Sequence, residues 1–364
     1  MTAQVSARPY DVLFSNTRDR LLGDAWFYYA VFFYTAFGLV FVYLLGGTGE
    51  TAHAAYAEPL FKVFGLFMPV IALGFDAIRV IVRLDQRRPL AFRMVFSSER
   101  MASMMAGMIM MAGIVLFMGT FTTIKISLPL LFDGFPHDRL HADIDRMLHF
   151  GVDPWRWLHG VAGSEIVRSM LEFNYGTIWF ILCFGGVFFV ATSPKADTIR
   201  IHYLVMFMVC WMVVGNVLAG AFLSAGPAFY GEVTGDHGRF ADLLALLSQN
   251  PDTASPYGYQ RYLWALYQND IKAFGAGISA FPSVHVALIT MNALFVAERS
   301  RLLGGLAFVY VALIVLSSVY LGWHYAIDGY ISIALVVSGH FLVRRMFRTG
   351  DAADAARHFL AKDG

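Results

Sequence analysis

The sequence predicts an all-α, polytopic membrane helix bundle of about eight spans (six to eight), with an interfacial helix in the segment 124–174. Three observations carry that expectation. Of 364 residues, 58% are hydrophobic and only 15% charged, whereas a soluble domain carries about 25% charged residues. Several apolar runs exceed the ~18 residues that a bilayer crossing needs. Finally, arginine and lysine gather on alternate connections between these runs, as membrane topology demands. The net charge of +1 carries no nucleic-acid signal.

The spans fall at roughly 25–45, 60–82, 101–123, 175–191, 203–222, 284–298, 303–321 and 325–343, the fourth and sixth being short. With eight spans, Arg8, Arg18 and Arg20 of the amino-terminal tail share a side with Arg83, Arg87, Arg88, Arg93 and Arg100. Lys195, Arg200, Arg299, Arg301, Arg344, Arg345 and Arg348 fall on that side too. The opposite side includes the loop 46–59 and the turn 322–324, neither of which holds a lysine or arginine. Both termini are therefore expected in the cytoplasm, and the long segments 124–174 and 223–282 on the outer, periplasmic or lumenal, side. Residues 1–24 lack the short apolar core and cleavage site of a signal peptide and read as a cytoplasmic tail. Residues 25–174 then form the first spans with the outer interfacial helix, 175–345 a second membrane core, and 346–364 a second cytoplasmic tail. Cys183 and Cys210 lie inside apolar runs and read as packed small hydrophobes rather than a disulfide pair.

In the first outer segment, "DRLHADIDRMLHFGVDPWRWLHGV" puts Leu140, Ile144, Met147 and Leu148 on one helical face and polar residues on the other. Trp155 and Trp157 follow, so the stretch reads as a helix lying in the interface with an aromatic anchor. His137, His141, His149 and His159 keep no tight ligand spacing with a carboxylate, and neither a metal nor a cofactor is expected.

Chemistry concentrates where three outer ends converge: "SAGPAFYG" after the fifth span, "GISAFPSVH" before the sixth, and "HYAID" before the eighth. Two helical legs of about 16–20 residues, at 1.5 Å per residue, return the chain to the level it left. His285 and His324 are thus expected to face one another. His324 and Asp328 are i, i+4 neighbours. A carboxylate that takes the Nδ1 proton leaves Nε2 as an outward lone pair, a nucleophile. His285, at a helix start, is placed to protonate a leaving oxygen. Ser283, Gly277 and the helix amino terminus suit an anion. An intramembrane carboxylate such as Asp328 is costly and marks function. Paired histidines between spans also suit haem, and a polytopic bundle suits transport; haem, however, needs neither Asp328 nor the Pro–Ser turn.

These residues resemble the type 2 phosphatidic acid phosphatase superfamily over roughly 203–345. Pro282, Ser283 and His285 match its P-S-x-H signature, and Ser317, His324 and Asp328 match S-R-x5-H-x3-D. The resemblance implies that His324 attacks phosphorus, Asp328 orients it and His285 acts as acid, without a metal ion. Two departures stand out. Ser318 replaces the expected arginine, and the K-x6-R-P signature is absent, since Arg88–Pro89 has Ile81 in the lysine position and lies on the cytoplasmic side. "SAGPAFYG" and "VYLGWHYAID" look like the branch that contains fungal inositol phosphorylceramide synthase and related inositolphosphotransferases. Of the basic residues Arg239, Arg261 and Lys272 between the fifth and sixth spans, Arg261 and Lys272 are expected to replace the phosphate clamp. Ser224, Gly226, Pro227, Tyr230, Tyr320 and Tyr325 are expected to line the substrate pocket. The implied partners are a membrane phospholipid donor and either a lipid alcohol or water as acceptor.

Overall fold

A computed structural model describes residues 9–46, 50–83, 88–250, 252–253 and 255–360. Arg8 and Arg87, and the last four residues of the expected carboxy-terminal tail, lie outside them. The described residues contain helices and no strand. In chain order the principal helices are α1 (Pro9–Gly23), α2 (Ala25–Leu44), α3 (His53–Val82), α4 (Ser98–Ser127), α5 (Asp138–Leu148), α6 (Pro154–Ala162), α7 (Glu165–Thr192), α8 (Arg200–Ala221), α9 (Pro256–Gln268), α10 (Val284–Arg299), α11 (Arg301–Tyr320) and α12 (Ala326–Leu360). Shorter turns at Pro227–Phe229, Tyr230–Thr234 and Ala241–Leu247 fill the second outer segment.

Among the described residues, seven helical stretches are long and apolar enough to cross a membrane: α2, α3, Phe92–Leu131 (which contains α4), α7, α8, α11 and the Ala326–Phe347 part of α12. The chain is a multi-pass integral membrane protein. The difference from eight lies in α10, a helix of 16 residues, or about 24 Å against a hydrocarbon core of about 30 Å. Local signals fix both of its ends. Ser283 accepts a hydrogen bond from Val286 N, and Ser300 closes α10 while capping α11 through Leu303 N. Buried residues run around the whole circumference of α10, from Val286 to Phe295, the mark of an enclosed helix. It packs on α8, α11 and α12.

The chain divides into two compact units. The first comprises Met1–Thr123, Phe184–Ile201 and Lys272–Gly275. Three of its arginines are held by carboxylates. Arg200 reaches Asp24 at 2.6 Å and donates to the carbonyls of Val190 and Ala191, with both charged groups buried. Arg100 bridges Asp76 and the Thr192 carbonyl, and Arg20 pairs with Asp197.

The second unit comprises Ile124–Cys183, His202–Ile271 and Ala276–Gly364. It therefore takes α5 and α6 together with α10, α11 and α12, where the sequence placed that outer segment with the first spans. The amphipathic reading of α5 needs a correction. Its apolar residues Leu140, Met147 and Leu148 do face outward, Met147 at 71% exposure, but the opposite face does not meet water: Asp138, His141 and Asp145 are buried against protein. Trp155 is buried as well, beneath Arg156 and beside His159, so the outward aromatic on α6 is Trp157 alone. Cys183 and Cys210 are both buried free thiols.

The Asp24–Arg200 pair generates a stability prediction. Asp24→Ala leaves a buried guanidinium unpaired and is expected to cost about 3–5 kcal/mol, read as a lower thermal midpoint in detergent. The double variant Asp24→Leu/Arg200→Met should recover most of that loss. A single variant that melts with the wild type would show that the pair contributes nothing.

Candidate active site

The second unit brings three loop segments together at one end of α10, α11 and α12. The turn after α11 is tied by Ser318, whose carbonyl accepts from Trp323 N at 2.9 Å and His324 N at 3.3 Å. Gly322 takes φ +72° there, a left-handed conformation that glycine adopts without penalty. The Ser224–Pro227 loop then docks onto this turn. Ala228 N donates to the Gly322 carbonyl at 3.0 Å, and Ala280 N to the Ser224 carbonyl at 2.8 Å. Gly226 has φ +97°, and a Cβ there would meet the Trp323 carbonyl oxygen at 2.7 Å. No other residue fits. The third segment closes the set when Ser283 N donates to the Asp328 carbonyl at 3.3 Å.

His324 sits where these segments meet. Its Nδ1 lies 3.2 Å from Asp328 Oδ2, and its Nε2 lies 3.2 Å from Ser283 Oγ. Asp328 is 0% exposed and its Oδ2 also accepts from Tyr325 N at 3.0 Å. A carboxylate so placed retains the proton on Nδ1. Nε2 is then the lone-pair nitrogen, and the Ser283 hydroxyl donates to it. His285 is clamped between two rings: Tyr175 stacks at 4.6 Å and 5°, Trp179 at 3.9 Å and 24°, and Trp179 Nε1 donates to the His285 carbonyl. Tyr175 lies in a π-helical turn, Asn174–Ile178, within α7. Such turns reset which side chains share a face. The second unit thus holds an imidazole with one nitrogen on a buried carboxylate and the other on a serine hydroxyl, and a second imidazole enclosed by aromatic rings.

The remaining residues expected at the site are placed unevenly. Ser224 is fully buried with its hydroxyl unpartnered by any side chain or backbone group, and Pro227 opens the short turn after Gly226. Tyr325 donates to Asp138 Oδ1 at 2.8 Å. Tyr320 instead serves α6: its hydroxyl donates to the Ala162 carbonyl, and its ring stacks on His159 at 3.9 Å. Tyr230 packs against Phe240, with the Arg239 guanidinium 5.6 Å from its ring centre. Arg239 is a strap, bound to Asp143 at 2.6 Å, to Asp153 at 3.0 Å and to the Ala142 carbonyl. Arg261 is exposed on α9, whose Gln260 faces inward to the Leu321 carbonyl. Lys272 belongs to the first unit.

Ser318, which stands in the place of an arginine, turns its hydroxyl back onto the Val315 carbonyl at 2.7 Å. The cation beside the loop that leads to His285 is a residue the sequence analysis passed over, Lys125. Its stem runs past Gly277, where a Cβ would lie 3.1 Å from Lys125 Cγ. Gly277, with φ +90°, therefore makes room for this lysine. The available signal was a lysine inside "TTIKISLP": an ionisable group within a span is rare and costly.

Of the four histidines of the 137–159 segment, His137 and His141 stack on one another at 5.9 Å, and the polar contacts of the segment differ from ring to ring. His137 Nδ1 lies 3.3 Å from the Leu223 carbonyl, His149 bridges the Asp145 carbonyl and Tyr330, and His159 reaches the Tyr320 carbonyl. His141 is buried over the Phe281 ring, and burial draws its pKa down to about 4. Among the described residues no group of three or more His, Cys, Asp or Glu side chains is arranged to hold a metal ion.

A family model described as the PAP2 superfamily matches residues 140–342, more than half of the chain. No curated protein and no solved structure matches it.

Asp328→Asn tests the orienting carboxylate. One atom, Oδ2, meets both Tyr325 N and Nδ1. An amide oxygen placed there keeps both contacts but carries no charge to stabilise the imidazolium formed on attack, and an NH2 placed there opposes both donors. Turnover is expected to fall by about 10²–10⁴-fold in initial-rate assays. Rates equal to the wild type would contradict the assignment.

Proposed function

Because the chain belongs to the PAP2 superfamily, whose members are generally phosphatases or phosphotransferases, we propose that it is a membrane-embedded lipid phosphotransferase. In the first half-reaction, Nε2 of His324 attacks the phosphorus of a phospholipid head group. The N–P bond forms, the P–O bond to the lipid alcohol breaks, and His285 in its protonated form gives its proton to the departing oxygen. In the second half, neutral His285 takes the proton of an acceptor hydroxyl, whose oxygen attacks phosphorus and frees His324. Ser283 releases Nε2 when substrate arrives and turns its hydroxyl to a phosphate oxygen. The two half-reactions are mirror images, so one histidine serves as acid and then as base.

The observation that carries this reading is His324 held between Asp328 and Ser283, both buried. The choice of a lipid alcohol over water as acceptor rests on charge. Ser318 supplies no cation, and Lys125 provides one positive charge for the phosphate. A phosphodiester carries one negative charge where a monoester dianion carries two, so a site of low cation content favours transfer of a diester head group. A ceramide-like alcohol and an inositol-bearing donor fit the branch that "VYLGWHYAID" resembles. The arginine and lysine distribution supports a site on the outer side of the membrane with both termini in the cytoplasm.

Incubating the purified protein with a panel of labelled phospholipids, with and without ceramide or diacylglycerol, tests the proposal by the masses of the products. The expected product is a lipid alcohol carrying the donor's phosphoryl head group, formed only when acceptor is present. Release of a free phosphorylated head group or of phosphate regardless of acceptor would identify a hydrolase instead. Lys125→Met is expected to lower kcat by about 10²–10³-fold, the loss of one charged group at a developing phosphoryl charge. His324→Ala with undiminished turnover would remove the proposal altogether.

A further inference from the structure

The buried face of α5 carries two carboxylates that the chemistry above does not use. Asp138 and Asp145 stand seven residues apart, two turns on one face, at 1% and 3% exposure. Neither pairs with a lysine or arginine in the hydrogen bonds and ion pairs that hold it. Asp138 accepts from Ala225 N at 2.7 Å, Gly226 N at 2.8 Å and the Tyr325 hydroxyl at 2.8 Å. Asp145 accepts from Ala326 N and Ile327 N, each at 3.1 Å. These last two amides open α12, so Asp145 caps that helix from another element. A helix leaves its first amides unpaired, and a carboxylate is the strongest partner for them.

The donors to these carboxylates flank the proposed nucleophile. Tyr325 follows His324, and Ala326 and Ile327 lie between it and Asp328, whose Oδ2 holds Nδ1. Gly226 packs against the Trp323 carbonyl, immediately before His324. A displacement of α5 would therefore shift Asp328 relative to His324. Both carboxyl pKa values stand raised to about 6, with burial the main cause in each case. Above that range both are anionic. Three donors meet Asp138, one backbone amide meets each oxygen of Asp145, and His149 Nδ1 lies 3.6 Å from Asp145 Oδ1. An Asn at 145 therefore sets its NH2 against a backbone donor.

We infer that Asp138 and Asp145 are positioning residues: α5 uses them to fix the Ser224–Pro227 loop and the first turn of α12, and thereby the Asp328–His324 alignment. This inference rests on the reading of His324 as nucleophile. It also gives the outward apolar face of α5 a role, since the helix that would rest in the lipid interface is the one that holds the site in register.

A double-variant cycle with two readouts tests the inference. Wild type, Asp145→Asn, Asp328→Asn and the double variant are compared for lipid turnover and for the rate at which diethyl pyrocarbonate modifies His324, followed by mass spectrometry. Asp145→Asn is expected to lower kcat and the His324 modification rate by about tenfold, with KM for donor changed less than about twofold. In the Asp328→Asn background it should add less than about twofold to either. Losses that multiply, or an unchanged His324 reactivity, would reduce Asp145 to a structural strut and overturn the inference. If Asp145→Asn fails to fold, Tyr325→Phe removes only one donor to Asp138 and is expected to slow His324 modification about threefold; no change there overturns the Asp138 half. A wild type that turns over no phospholipid would defeat the phosphotransferase reading, while the modification arm would still decide the positioning.

Discussion

Asp328 is a fully buried carboxylate at the head of a membrane span, and the second unit is arranged around the cost of burying it. One of its oxygens is shared between His324 Nδ1 and Tyr325 N, while the other has no hydrogen-bonding partner. A buried charge persists only where hydrogen bonds offset its desolvation. Here those bonds come from its own first turn, which is stabilised in turn by Asp145. The Ser283 N–H closes on the same residue's carbonyl, so the start of α10 and the start of α12 are mutually dependent. Any reaction at His324 inherits its geometry from this one group.

The contrast between the two units follows from the same principle applied differently. In the first, charges are paired within the bundle: Asp24 with Arg200, Asp76 with Arg100. These pairs neutralise one another, and the arginines also take up carbonyls that helix ends leave open. The second also holds an arginine strap, Arg239 with Asp143 and Asp153, but its Asp138, Asp145 and Asp328 are met chiefly by backbone amides and hydroxyls rather than by arginine or lysine. Amide donors hold a carboxylate without cancelling its charge, and they bind backbone segments in fixed register. The first arrangement suits a scaffold, the second a site whose loops must not move.

How much of this was legible in the sequence depended on whether a residue's role is local. His324 and Asp328 stand four residues apart, so their pairing followed from helix geometry alone. The membrane character and most spans were likewise plain, because apolar length is a local property. Lys125 was hidden by a boundary: α4 continues to Ser127, past the expected end of the third span, which turns a supposed loop residue into one on the last turn of a span. Arg239 was a candidate cation only until its partners Asp143 and Asp153 could be seen, nearly a hundred residues upstream. The polar face of α5 was visible as a pattern, yet periodicity says only that two faces differ. It does not say which one meets protein, and in a membrane the apolar face has a second place to go. The shortfall of α10 as a span reflects Ser283 and Ser300, caps that the hydrophobic run between them obscured.

The proposed chemistry requires Nε2 of His324 to carry the phosphoryl group. Its most direct test is rapid alkaline or denaturant quench of the wild-type protein during turnover of a phospholipid labelled in its head-group phosphate, followed by mapping of the label. The label should reside on His324, be absent in His324→Ala, and disappear on chase with unlabelled acceptor. Turnover without any protein-bound label at His324, or with label on another residue, would contradict it.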